Sequence, residues 1–511
     1  MKRLLSLILA LLLVTGALSL AACGTKPSET ATDRQESATG EPGTQKETDS
    51  ASESAESGSE SATESGSESV TESGTESQTE TATETEPESK RYTDEELESI
   101  REELNRTTVG NKLPIASFGA IVKAEKMQEV YELMLEAGIN TVIAVEAVYS
   151  TTGEGNWLDL VLSSARETGM DVILSAQGFD GATMESKLLG REEYFDLIKA
   201  IYLKDEPTPD QFGGLAETRE TLRKYLPGAD KWQMGANLLP FGSGSYEAGN
   251  EFDFETAGYE DTLRKYMDTV HPEFLCFDYY PWTSGGSIQY YLTNLLLVEK
   301  VAKDYDVPTY TFIEANSIDV SYYQLKLECN LSLASGAQAL YLFLAKELGH
   351  FSAGVVFDTS GNVTNWNYYS CMEEIFNGLH AMKGVFLDFD WQNNIFAGKA
   401  VETYTPMLNK NGVGGFINEG GSFGELTSVE SPDAVIGCFT DQNGVNGLYV
   451  VNTNLDAERK SEDTVLHFGE EVLYEIWGEE GLEKIGYAET LTLSLYAGDG
   501  KFIVINPTLP Q

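Results

Sequence analysis

Between Pro114 and Phe343 the chain alternates two hydrophobic rhythms about eight times, and few folds accept that alternation. Short apolar runs read as strands: Pro114-Ile115-Ala116-Ser117-Phe118-Gly119, Ile139 to Val145, Asp171 to Ser175, Lys199 to Leu203, Trp232 to Ala236, Phe274 to Phe277, Thr309 to Ile313 and Ala339 to Phe343. Stripes at helical spacing lie between them. Met127, Val130, Tyr131, Met134 and Leu135 form one, closed by Gly138, and Trp157, Leu158, Val161, Leu162 and Ala165 form the next, closed by Gly169. Further helices are expected over Leu215 to Tyr225, Tyr290 to Lys303 and Tyr322 to Ser335. Eight strand–helix units in about 250 residues is the count of a parallel (β/α)8 TIM barrel. A doubly wound open sheet shares the grammar, but no glycine-rich phosphate turn follows the first strand here.

The flanks follow different rules. Past about Met382 the pattern turns to short strands: Leu491, Leu493 and Leu495 alternate with polar neighbours, Asn443-Gly444 signals a hairpin, and Ala434-Val435-Ile436 lies close to Leu448-Tyr449-Val450-Val451. With no helical stripe among them, residues 383–511 read as an antiparallel β-sandwich after a barrel domain at 91–382. Thr93-Asp94-Glu95-Glu96 opens the first helix, with Thr93 as its N-cap. Residues 24–90 are Ser, Thr, Glu and Gly with almost nothing to bury, so they are expected to be a disordered, self-repelling spacer. Before them, Met1-Lys2-Arg3, the apolar run Leu4 to Leu18 and Leu20-Ala21-Ala22-Cys23 make residues 1–23 a targeting segment. This layout resembles the lipobox of bacterial lipoproteins, which implies lipidation at Cys23 and a membrane anchor on the extracytoplasmic face.

The chain carries 82 acidic against 34 basic residues, a net charge of −48, which argues against nucleic acid and against direct adhesion to an anionic membrane surface. Cys276, Cys329, Cys371 and Cys438 are widely spaced and form no zinc or redox motif; they read as small buried hydrophobes, with one disulfide left open.

In a barrel the residues just past each strand face the active site, so the strand ends carry the functional reading. They are Ser117 and Phe118; Glu146; Gln177; Asp205 and Glu206, where the run Ala200-Ile201-Tyr202-Leu203-Lys204 ends in two acids stopped by Pro207; Asn237; Asp278, Tyr279, Tyr280 and Trp282; Glu314 and Asn316; and Lys346 and His350 in the last loop. Carboxylates and amides hydrogen-bond hydroxyls, and aromatic faces pack on sugar rings, so the set describes a carbohydrate pocket. With four histidines in the chain and no His-x-His pair, no metal site is expected.

Asp205-Glu206-Pro207 and Phe277-Asp278-Tyr279-Tyr280-Pro281 resemble motifs of the clan of retaining barrel glycoside hydrolases that includes beta-galactosidases with a barrel and C-terminal sandwiches. The resemblance implies Glu206 as acid/base and Glu314 as nucleophile, carboxyl groups about 5–5.5 Å apart, and no cofactor. It further implies that Tyr279 or Tyr280 orients Glu314, while the strand-end positions of Gln177, Asn237, Trp282, Asn316 and Glu146 make them the expected binding residues. The clan carries Asn before the acid/base, where this chain has Asp205. Asp205 still accepts from a hydroxyl and its charge raises the pKa of Glu206, but when ionised it cannot donate. The alternative to hydrolysis is therefore a carbohydrate-binding lipoprotein on a barrel scaffold.

Overall fold

The computed structural model describes residues 91–509 apart from 108–111, 148–155, 242–255, 284, 350, 414–416, 419–420 and 458–459. Cys23, the spacer at 24–90 and His350 lie outside the described residues, as does the loop through Gly242 and Glu247.

Eight parallel strands close into a barrel in chain order. They are β1 (Ile115–Phe118), β2 (Thr141–Ala144), β3 (Asp171–Ser175), β4 (Ile198–Asp205), β5 (Gln233–Leu238), β6 (Leu275–Phe277), β7 (Thr309–Glu314) and β8 (Ala337–Phe343). Helix α1 (Asp94–Arg106) precedes the barrel. Around it run α2 (Met127–Glu136), α3 (Trp157–Thr168), α4 (Gly181–Leu188), α5 (Phe212–Tyr225), α6 (Thr256–Val270), α7 (Ile288–Tyr305), α8 (Tyr322–Ala334) and α9 (Trp366–Ala381). The TIM barrel expected from the alternation is the fold. At α1, Thr93 and Glu96 form a reciprocal capping box, so two orphan amides of the first turn are satisfied locally.

Strand periodicity divides the barrel into two cores. Ala116, Phe118, Ile143, Ile173, Ala200, Tyr202, Phe274, Cys276, Tyr310, Phe312, Ala339 and Tyr341 fill the interior, and their odd-phase neighbours, such as Leu203, Phe277, Ile313 and Leu340, pack outward under the helices. That alternation decides which strand-end residues look into the mouth of the barrel.

The C-terminal region is an eight-stranded sheet of β9 (Phe389–Gly398), β10 (Ile417–Asn418), β11 (Leu426–Glu430), β12 (Asp433–Asp441), β13 (Asn446–Asn452), β14 (Glu462–Gly478), β15 (Gly481–Leu495) and β16 (Gly500–Ile505). All but the short β10 pair antiparallel, as the alternating Leu491, Leu493 and Leu495 lead one to expect. Ile436, Cys438, Leu448, Val450, Leu491, Leu493 and Ile503 enclose a core of the sheet's own. The opposite phase, Phe439, Tyr449, Val451 and Phe502, shares one continuous core with the barrel helices. One element departs from expectation: helix α10 (Lys399–Lys410) interrupts the strands. It carries Pro406 in its interior, a residue that reads in sequence as a helix breaker.

The joint between barrel and sheet is α8. From Leu325 to Ala334 its residues are buried on every side, including Lys326, Glu328, Asn330 and Ser332. Lys326 is 4% exposed and pairs with Glu479 at 2.5 Å and Asp499 at 2.6 Å. Asn330 accepts from the Tyr449 hydroxyl at 2.8 Å and donates to the Gly498 carbonyl at 2.9 Å. Gly437 faces the last carbonyl of the helix so closely that a Cβ there would collide with Ala334. Cys276, Cys329 and Cys438 are buried thiols.

Candidate active site at the C-terminal mouth of the barrel

Period two places two of the acids. Counting on from the interior residues Cys276, Phe312 and Tyr341, the next inward positions are Asp278, Glu314 and Phe343. On β4 the count breaks. The register runs Tyr202 opposite Gly235 and then Asp205 opposite Asn237, so β4 spends one residue more than β5. This bulge turns Asp205 to the same side as Tyr202, whose hydroxyl donates to Asp205 Oδ1 at 2.5 Å. Asn237 Nδ2 donates to the same oxygen at 3.0 Å. Glu206 follows in a left-handed backbone conformation, φ 44°, with its N–H on the Asn237 carbonyl at 2.9 Å and its side chain exposed at the mouth. A non-glycine residue held there is costly, and the bulge together with Asn237 supplies the constraint.

The carboxyls on this side repel one another. Partial removal from water and then the charge of Asp205 raise the pKa of Glu206. Asp278 is pushed up to about 8, first by burial and then by Glu206 and Asp205, while Asn237 and Tyr280 pull the other way. Its Oδ1 is buried with no hydrogen-bond partner.

Glu314 lies on the floor, 1% exposed. Its Oε2 accepts from the peptide N–H groups of Trp282 at 2.9 Å and Thr283 at 3.3 Å, and its Oε1 accepts from Asn316 Nδ2 at 3.3 Å. Burial raises its pKa to about 7 against those donors. The orienting role expected of Tyr279 or Tyr280 thus falls to two backbone amides. Strand phase is the reason: Tyr279 packs outward in the helix-side core near Tyr290, and Tyr280 stacks on Phe343 beside Asp278.

Behind Glu314 stands Glu328 of α8, fully buried. Its Oε1 takes the Glu314 N–H at 2.8 Å and its Oε2 takes the Trp282 indole N–H at 2.7 Å, so it ties β7 to the loop after β6. Burial pushes the Glu328 carboxyl well above the usual range. The Trp282 indole N–H is therefore committed to this prop, with the ring half-buried against the helix-side core. Asn316 Oδ1 caps the Ile318 and Asp319 amides at 3.2 and 2.9 Å while its amide reaches Glu314.

The remaining strand ends complete the bowl. Glu146 past β2 accepts from Lys346 Nζ at 3.2 Å, and Lys346 is itself buried. Gln177 is half-buried past β3, its N–H on Ser175 Oγ at 3.2 Å. Phe118 and Phe343 stand 5.9 Å apart by ring centroid, and Phe343 carries the partly exposed Phe351 at 5.4 Å. The bowl is accordingly two-sided: Asp205, Asn237, Asp278 and Glu314 on consecutive strands β4 to β7, and aromatic rings from β8 and β1 across from them. Among the described residues no group of three or more His, Cys, Asp or Glu is arranged to hold a metal. The sequence reading missed Glu328, although an acid in the middle of an apolar helix was its one visible sign. It also missed the Tyr202 hydroxyl and the Phe343 ring, whose roles depend on strand phase.

No family model matches the chain, and no curated protein matches it. Among solved structures it is similar to a GH42 beta-galactosidase from G. stearothermophilus, at 9% identity over 78% of this chain and 99% of that one, TM-score 0.49. An endo-beta-1,4-mannanase from Thermotoga petrophila matches at 13% identity over 76% of this chain and 99% of that one, TM-score 0.37. An enolase from Bradyrhizobium matches at 14% identity over 47% and 54%, TM-score 0.29. At such distance no activity passes from any of them to this chain.

Proposed function

We propose that the protein is a glycoside hydrolase that cleaves a β-linked glycosidic bond with retention, Glu206 acting as acid/base and Glu314 as nucleophile. The observation that carries this reading is the pair of environments at the ends of β4 and β7. Glu206 is exposed at the mouth, where a leaving group departs; its pKa is raised, as is that of Glu314, so position and not the shift separates the two roles. Glu314 is fixed on the floor by Trp282 and Thr283, as a nucleophile must be before attack. In the first step Glu314 bonds to the anomeric carbon as the glycosidic C–O bond breaks, and the Glu206 proton passes to the leaving oxygen. In the second, water gives its proton back to Glu206 and displaces Glu314. Asp205, held by Tyr202 and Asn237, accepts from a substrate hydroxyl, and the partly exposed Phe343 and Phe351 offer apolar surface to the sugar ring. The lipobox at Cys23 supports a lipid-anchored, extracytoplasmic location, with residues 24–90 as the tether.

A second reading, carbohydrate binding without hydrolysis, has its own support: Glu314 is 1% exposed and both of its oxygens already accept hydrogen bonds. One experiment separates the two. Residues 91–511 are assayed on a panel of aryl α- and β-glycosides beside Glu206→Gln and Glu314→Gln. Hydrolysis of a β-glycoside that both substitutions reduce by about 100-fold or more supports catalysis. The Glu206→Gln loss should be much smaller for a dinitrophenyl leaving group, which needs no proton. A protein that binds oligosaccharides yet cleaves none of the panel or the bound sugars refutes hydrolysis.

A further inference from the structure

Glu328 is an acid that its helix does not need for stability. It is fully buried, accepts from two N–H groups and meets no cation among the described residues. Leu325, Leu327 and Leu331 fill neighbouring positions of α8 with apolar side chains that carry no such penalty. The two oxygens of Glu328 are used in a specific way. Oε1 takes the Glu314 N–H at 2.8 Å and Oε2 takes the Trp282 indole N–H at 2.7 Å, while the Trp282 peptide N–H returns to Glu314 Oε2 at 2.9 Å. Three hydrogen bonds thus close a ring through α8, the loop after β6 and the end of β7. Beside the ring, Thr283 gives its own N–H to the same Glu314 oxygen at 3.3 Å, and its hydroxyl donates to the Tyr280 carbonyl at 3.1 Å. Glu314 Oε2 therefore faces two peptide amides, whereas Oε1 has the Asn316 amide at 3.3 Å.

We propose that Glu328 is a positioning residue: by holding the Trp282 indole it keeps two peptide amides on Glu314 Oε2, and so leaves Oε1 as the atom that bonds to the anomeric carbon. The inference deepens the proposed hydrolysis and rests on it for its kinetic consequence. Glu328 acts from behind the floor of the bowl, through Trp282 and the Glu314 backbone. An oxygen that already accepts two N–H bonds is the poorer nucleophile of the pair, and the ring stops the carboxyl from exchanging its oxygens by rotation. As Oε1 forms its bond to the anomeric carbon, the glycosidic bonding pair leaves with the departing oxygen, which takes the Glu206 proton.

The test has a kinetic and a spectroscopic arm. In Glu328→Gln one carboxyl oxygen becomes an NH2 group. The Glu314 N–H belongs to β7 and cannot withdraw, so the new amide keeps its oxygen there and its NH2 confronts the indole, which releases the loop. On the cleaved glycoside kcat should fall about 10- to 100-fold with KM within about threefold, because the aim of the nucleophile is lost and the binding groups remain. Trp282→Phe removes the indole N–H and should fall as far, and the two substitutions together no further. A Glu328 that serves only the fold lowers the melting temperature of Glu328→Gln and leaves kcat intact below it; that result overturns the inference. The second arm needs no turnover. In magnetic resonance spectra of protein carrying nitrogen-labelled tryptophan, the Trp282 peptide amide, assigned by its loss in Trp282→Phe, should shift as Glu314 titrates with a midpoint of about 7. In Glu328→Gln that excursion should shrink to about half or less. An excursion of equal size in the variant overturns the inference whatever the glycosides do. A silent glycoside panel with the excursion lost in the variant supports the positioning of Glu314 and tells against hydrolysis alone. Should Glu328→Gln fail to fold, Trp282→Phe with nitrogen-labelled threonine reads the same loss at the Thr283 amide.

Discussion

Replacing Glu314 by Gln tests the site without any substrate. In the folded chain the Glu314 carboxyl is raised from 4.5 to about 7, chiefly by burial. A carboxyl whose folded pKa is raised gives the fold an advantage that is complete below the unfolded pKa and is lost as pH climbs through the folded one. Between about pH 4.5 and 7.5 the wild type should therefore give up as much as about 3 kcal/mol at this position, from roughly 1.4 kcal/mol for every pH unit that separates the folded and unfolded values. The amide cannot titrate, so Glu314→Gln is spared that loss. It has a fixed cost instead. Asn316 cannot turn its amide without dropping the Ile318 and Asp319 caps, and the Trp282 and Thr283 N–H groups require an oxygen, so one donor is left facing a donor at about 1–3 kcal/mol. The variant should thus melt below the wild type at pH 5 and close to it at pH 8. With unfolding entropy near 2.1 cal/mol/K per residue over residues 91–511, the gap should narrow by about 3 °C. The assay is a pair of thermal melts across pH 4.5–8.5 in buffers of equal ionic strength. A gap that stays constant over this range refutes the account of Glu314 as a carboxyl raised by burial.

Two further outcomes follow from the same contacts. On the proposed mechanism Glu314 has to be ionised to attack, so kcat/KM on any cleaved glycoside should fall on the acid side with a midpoint of about 7; a plateau down to pH 5 would contradict this. At the joint, Lys326→Met strands Asp499, which is 17% exposed, and Glu479, which at 41% can turn to water. The expected loss is about 2–3 kcal/mol, below the 3–5 kcal/mol of a fully enclosed pair, and adding Asp499→Asn should cost little more, as a double-mutant cycle of melts would reveal.

The barrel was legible because its signal is periodic and redundant: a misjudged residue at the end of β4, expected to stop at Leu203 and found to reach Asp205, leaves the other seven strands in place. The places of Glu206 and Glu314 at the strand ends were legible for the same reason, since both terminate apolar runs. Phase was not. The extra residue between Tyr202 and Asp205 leaves no mark in composition, yet it decides that Asp205 faces inward, and one step of alternation separates Tyr280 in the bowl from Tyr279 under the helices. Glu328 could not be assigned because its partners, Trp282 and Glu314, are distant in sequence. Helix α10 was hidden by Pro406, where packing overrides a local preference.

Helix α8 has a consequence for anyone who would re-engineer the protein. Glu328 on one flank props the loop and strand that aim Glu314, while Lys326 and Asn330, two residues to either side, are clamped by the C-terminal sheet. The helix is a shared wall, with no water-facing side of its own to fall back on. Cutting the chain after the barrel would leave that wall unsupported a few ångströms behind the floor acid, so the barrel and its sheet have to be moved together in any transplant.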